Sequence, residues 1–153
     1  RGDDNFDSAD AGKVLQVVEA SNDTDVTFSQ THTTYATTVS ATITPVATSS
    51  KVLIMIQNSL DGCSGGNYPA LHGKILRGST EIDGMELVLY EGNNNWHRIG
   101  EVAWKYMDSP NTTSAVTYNI QWANSSGSSV SGTYTGVANQ YGTSRIFLLE
   151  IAG

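Results

Sequence analysis

The chain has 153 residues, a mass of 16.3 kDa and a formal net charge of −7, with 8 Lys and Arg against 15 Asp and Glu. That length supports one well-buried core rather than two comfortable domains, and a few dispersed bases in an acidic chain argue against a nucleic-acid partner and against docking on an anionic lipid surface. Charged residues are only 15% of the chain while Ser and Thr make up about a fifth, a hydroxyl- and amide-rich surface that suits extracellular adhesins and virion proteins better than cytosolic enzymes.

Residues 1–12 are acidic and small, with Phe6 the one large apolar side chain, and read as a linker or tail end. Arg1-Gly2-Asp3 is a tripeptide common by chance, and Asp3, Asp4, Asp7 and Asp10 lack the spacing of a calcium loop. The chain opens without Met or a secretory pattern, as expected of a processed product or a fragment. No apolar run approaches the roughly 20 residues that span a membrane.

From Lys13 to Gly153 the pattern is that of a single β domain. Val14–Val18 is apolar at successive positions and so apolar on both faces of a strand. Tyr35, Val39, Ala41 and Ile43 alternate with Thr34, Thr38, Thr42 and Thr44, which predicts a half-buried strand. Val52–Ile56 is a second doubly apolar strand, bounded by breakers at 45–50 and 61–69. Cys63, the only cysteine, falls in the loop-like stretch 61–66 and reads as an idle thiol; alone, it supports neither an intrachain disulfide nor a cysteine-based zinc site. At most one short helical turn is expected near Ser79–Met85. Val102, Trp104 and Tyr106 alternate with Glu101 and Lys105, and Val116, Tyr118, Ile120 and Trp122 with Thr117, Asn119 and Gln121; both tryptophans are expected in the core. Ile146–Ile151 is the third doubly apolar strand.

Eight to ten short strands separated by frequent turns, with no fixed repeat, predict an all-β antiparallel sandwich, jelly-roll-like, and exclude a β-helix or propeller. The first and last strands are expected to lie together in the inner sheet. A strand apolar on both faces needs cover on its outward side, and a second subunit is the simplest cover, so a symmetric oligomer is expected.

The sequence offers little chemistry. Glu81, Asp83, Glu86 and Glu91 are the clustered carboxylates and read as a solvated strand rim rather than an acid–base pair. His32, His72 and His97 stand in unrelated contexts, no Gly-x-Ser-x-Gly elbow accompanies them, and no short His or Cys spacing fits zinc. His32 or His72 copies meeting on a three-fold axis are the remaining route to a metal. Gly62, Gly65 and Gly66 are not followed by the Lys of a phosphate loop. Three sequons, Asn22–Thr24, Asn111–Thr113 and Asn124–Ser126, follow from composition. The expectation is therefore a non-enzymatic domain with no metal and no cofactor. Binding is suggested by aromatics near turns. Trp96, His97 and Arg98 follow three asparagines, Tyr68 lies beside Pro69, and Tyr141 is comparable. Such groups stack on sugar rings and bond their hydroxyls, although for any single one plugging the sandwich rim is the simpler role.

Five stretches in order, Gly12–Val18, Thr42–Pro45 with Ser49–Met55, Lys74–Ile82, Tyr106–Pro110 with Thr112–Tyr118, and Ser144–Gly153, resemble the C-terminal domain of marine and cyanobacterial phage tail-fibre-like proteins. The resemblance covers residues 12–153. It implies a virion-attached, trimeric domain at the distal end of a fibre, acting in host-surface attachment, with its variable loops at 58–73 and 83–98 and no catalytic motif. The expected partners are two further copies of the chain and a bacterial surface receptor, polysaccharide or protein. The alternative is a purely structural virion appendage or trimerisation domain.

Overall fold

The computed structural model describes residues 11–29, 34–64, 70–88, 96–97, 100–125, 135–140 and 142–153. They form β1 (Val14–Asn22), β2 (Val26–Ser29), β3 (Ala36–Ile43), β4 (Lys51–Ser64), β5 (Ala70–Arg77), β6 (Thr80–Val88), β7 (Trp96–His97), β8 (Gly100–Asp108), β9 (Val116–Ser125), β10 (Thr135–Ala138) and β11 (Ser144–Ile151), with no helix among them.

Two antiparallel sheets make a β-sandwich-like fold. The larger contains seven strands but is only four strands wide, because three of its positions are filled by two short strands in line. β4 runs its full length, with β11 then β10 on one side and β8 then β7 on the other. β1 lies outside β11, and β2 outside β10, so the first and last long strands pair as the double apolarity suggested. The smaller sheet has the order β3-β9-β5-β6.

Between the sheets sits one apolar cluster, fed by alternate residues of each strand. β11 shows the rule most plainly, with Ser144, Ile146, Leu148 and Glu150 buried and the residues between them partly exposed. Ile54, Ile75, Ile120 and Leu148 are fully buried, each contributing about 1.5–3 kcal/mol of transfer free energy. Trp122 and Tyr118 are the largest buried side chains, and Trp104 meets Trp122 edge-on at 6.4 Å between ring centroids. Gly73 is required where it stands, since a Cβ there would lie 2.8 Å from the Trp122 ring.

Three local expectations are corrected. Ser79–Met85 holds no helical turn: Gly78, at φ 61°, and Ser79 make the tight turn of a hairpin, and β6 follows at once. The stretch around Cys63 is strand, because β4 continues to Ser64 through pairing with β10 and β7. Thr38 is fully buried rather than on the polar face, because a register shift between Thr37 and Val39 turns it inward.

The strand ends define two poles. At one, Ser29, Thr135, Ser64 and Trp96 align across the larger sheet while Ser125, Ala70 and Val88 align across the smaller. At the other lie Val14, Ile151 and Lys51, with Gly12 bonded to the Ala152 carbonyl.

Candidate functional site

The outward faces of the two sheets differ sharply. On the smaller sheet that face is polar and internally bonded. The Thr42 and Thr117 hydroxyls are 2.7 Å apart, Gln121 donates to Thr37 Oγ1 at 3.0 Å, and His72 Nε2 lies 3.2 Å from Glu86. Lys74 Nζ sits 2.7 Å from Glu81 and 4.2 Å from the centre of the Tyr35 ring. The hydrogen bond to Glu81, with a smaller contribution from Tyr35, holds the Lys74 ammonium above its ordinary pKa.

On the larger sheet the outward face carries an apolar patch bordered by polar and charged side chains, and the register sorts it into rows. Val17, Leu149, Leu53 and Met107 pair in succession across β1, β11, β4 and β8. The next row reads Glu19, Phe147, Met55 and Lys105, and Val14 and Ile151 extend the patch below. Val17 is 58% exposed, Met55 43% and Met107 45%, large fractions for side chains of this kind. A shallow hollow of about 430 Å³ opens beside Met55 and Phe147, floored by Gln57 and Ala103. Three of these strands were legible as doubly apolar. Met107 was missed, because it falls in the polar phase of β8, and only the cross-strand register brings it beside Leu53.

Most polar side chains of the interior are hydrogen-bonded to one another; among the described residues Ser50 Oγ is the buried polar side-chain atom without a hydrogen-bond partner. Asn58, fully buried on β4, donates to Thr38 Oγ1 at 2.9 Å and Ser144 Oγ at 2.7 Å, and accepts from the Trp122 indole at 3.2 Å. The Ser144 hydroxyl in turn donates to Asn139 Oδ1, and Thr38 donates to the Ile120 carbonyl. Asn139 adopts a left-handed φ of 71° in the turn between β10 and β11, where it also accepts from the Ser144 amide. At the far pole Asp108 accepts from the Tyr118 hydroxyl at 2.7 Å and from Arg77 at 3.1 Å, tying β8 to the smaller sheet. Burial, then the bond to Asp108, push the Tyr118 phenol far above its ordinary pKa. Glu150, fully buried, accepts from Gln16 and from the Val46 amide at 2.8 Å. Burial alone would raise its carboxyl; the donors, led by Gln16, outweigh burial and hold it below the ordinary value.

The carboxylates weighed for catalysis are engaged separately. Glu81 is held by Lys74, Glu86 lies against His72, and Asp83 accepts from the Trp104 indole at 3.0 Å; Glu91 lies outside the described residues. No group of three His, Cys, Asp or Glu side chains that could hold a metal occurs among the described residues. Of the binding candidates, Tyr68, Arg98 and Tyr141 lie outside the described residues, as does His32. Trp96 and His97 are described as strand backbone only, where they pair with Ser64 and Cys63. The stretches expected as variable loops, 58–73 and 83–98, are strand wherever they are described, because β4, β5, β6 and β7 run through them, and only the paired ends, Ser64 with Trp96 and Ala70 with Val88, lie at one pole. No protein-family model and no curated protein matches the chain.

Proposed function

We propose that the chain is the distal domain of a phage tail fibre: a jelly-roll homotrimer in the virion that contacts a host-surface receptor, polysaccharide or protein, through the loop pole. The observation that carries the reading is the apolar outward face of the larger sheet. A solvent-facing sheet that needs no partner alternates apolar and polar residues, as the smaller sheet does, whereas Val17, Leu149, Leu53, Met107, Phe147 and Met55 form one continuous patch. The strand orders support the jelly roll. Counting in-line strands once, the sheets read first-last-third-sixth and second-seventh-fourth-fifth, the pairing expected when two Greek keys wrap a sandwich. The resemblance over residues 12–153 supports the virion setting.

Receptor contact at the loop pole is supported by the adjacency of Ser64 with Trp96 and of Ala70 with Val88, which brings the flanks of Tyr68 and of the Trp96–Arg98 stretch together, at the pole opposite Gly12. The experiment is adsorption of labelled protein to host cells. Trp96→Ala or Tyr68→Ala in a folded protein is expected to abolish adsorption. Undiminished adsorption by both variants defeats the assignment of the contact to this pole, and a wild-type protein that does not adsorb at all defeats the receptor reading. The latter result leaves the second one, a structural trimerisation domain, which the apolar face favours because assembly alone accounts for it.

A further inference from the structure

We infer that copies of this chain assemble face to face through the larger sheet about an axis parallel to its strands, so that Glu19 of one copy meets Lys105 of the next. The inference rests on the assembly reading above and adds the contact and the direction. The row Glu19–Phe147–Met55–Lys105 is apolar in the middle, with a carboxylate on edge strand β1 and an ammonium on edge strand β8. Rotation about an axis parallel to the strands, whether two-fold or three-fold, carries the β1 edge of one copy to the β8 edge of its neighbour at the same height. Glu19 then faces Lys105 and Val17 faces Met107. A two-fold axis across the strands sets each edge against its own copy, Glu19 on Glu19 and Lys105 on Lys105, which like-charge repulsion disfavours. Glu19 is free to take the contact, since its ion pair with Arg145 in the same chain is long, 3.9 Å, and exposed. The parallel arrangement also has a functional consequence: every copy presents its loop pole in the same direction.

The test is sedimentation of the full chain over a concentration series, with circular dichroism to verify folding. Met107→Arg and Val17→Arg, both at exposed positions, are expected to leave folded monomers. Glu19→Lys and Lys105→Glu are each expected to weaken association about 3- to 10-fold, and the double exchange to restore it. In the crosswise arrangement single and double exchanges leave each residue facing its own kind, so restoration is the discriminating result. A chain monomeric at every concentration overturns both the assembly reading and the inference. An oligomer insensitive to the arginine substitutions leaves assembly standing but overturns this face as its contact. One broken by them, yet with no restoration in the double exchange, overturns the parallel axis.

Discussion

Replacing Asn58 with Leu tests whether the buried amide holds the sandwich together. Leu has the same branched outline with bulkier methyl ends, so no cavity is left, and the cost is chiefly that of the lost hydrogen bonds. The three partners do not lose equally. Thr38 and Ser144 each lose one donated bond but keep their own hydroxyl protons engaged, with the Ile120 carbonyl and Asn139 respectively. The Trp122 indole N–H, by contrast, is fully buried and has no other acceptor among the described residues. An orphaned buried donor costs about 1–3 kcal/mol and each lost neutral bond about 0.5–1.5 kcal/mol. Asn58→Leu is thus expected to destabilise by about 2–6 kcal/mol, a large share of the 5–15 kcal/mol typical of a domain. In urea, with a slope of about 2 kcal/mol/M, the midpoint falls by roughly 1–3 M at fixed protein concentration. Trp122→Phe removes the indole donor, so the double variant should be about 1–3 kcal/mol less destabilised than the two single losses added together. A midpoint for Asn58→Leu at or above that of the wild type, or strict additivity in the cycle, refutes the reasoning.

Two further perturbations follow from the same interior. Gly73→Ala puts a methyl 2.8 Å from the Trp122 ring, and the resulting overpacking should lower stability by about 1–3 kcal/mol in thermal unfolding; an unchanged midpoint contradicts the close packing of β5 on Trp122. Glu150 has a lowered folded-state pKa, so it contributes stability that is fully present above the unfolded value of about 4.3 and is lost as pH falls through the folded value. Glu150→Gln should therefore cost about 2 kcal/mol near pH 7, with the gap to the wild type closing below about pH 4. Urea titrations from pH 7 to pH 3 decide it, and a gap independent of pH removes the carboxylate from the account.

How much of this was legible depended on whether a feature was local. The alternation of Val116, Tyr118, Ile120 and Trp122 was enough to fix the inward face of β9, and Val102, Trp104 and Tyr106 did the same for β8. The glycine at 62 and the polar run after Leu60 read as a loop, yet two neighbouring strands supply the backbone partners that keep β4 extended there. Thr38 defeats alternation because one bulge reverses the phase of every residue beyond it. Asn58 was invisible for a different reason. In a chain this rich in amides a single Asn carries no signal, and its partners stand 20, 64 and 86 residues away. The candidate site divides along the same line: the double apolarity of three strands was in the sequence, but the rows they form required the register.

The charges at the ends of the Phe147–Met55 row also distinguish protection from assembly. Sheet edges are often guarded by charge, which hinders strand addition from outside. A guard works best when both edges carry one sign, because copies approaching side by side then repel. Here β1 offers Glu19 and β8 offers Lys105 at the same height, so side-by-side copies in parallel orientation attract at that row, and only crosswise copies repel. Opposite signs on opposite edges reject one orientation and admit the other. If copies of the chain meet through the larger sheet, these charges, with the apolar residues between them, favour one orientation over the other.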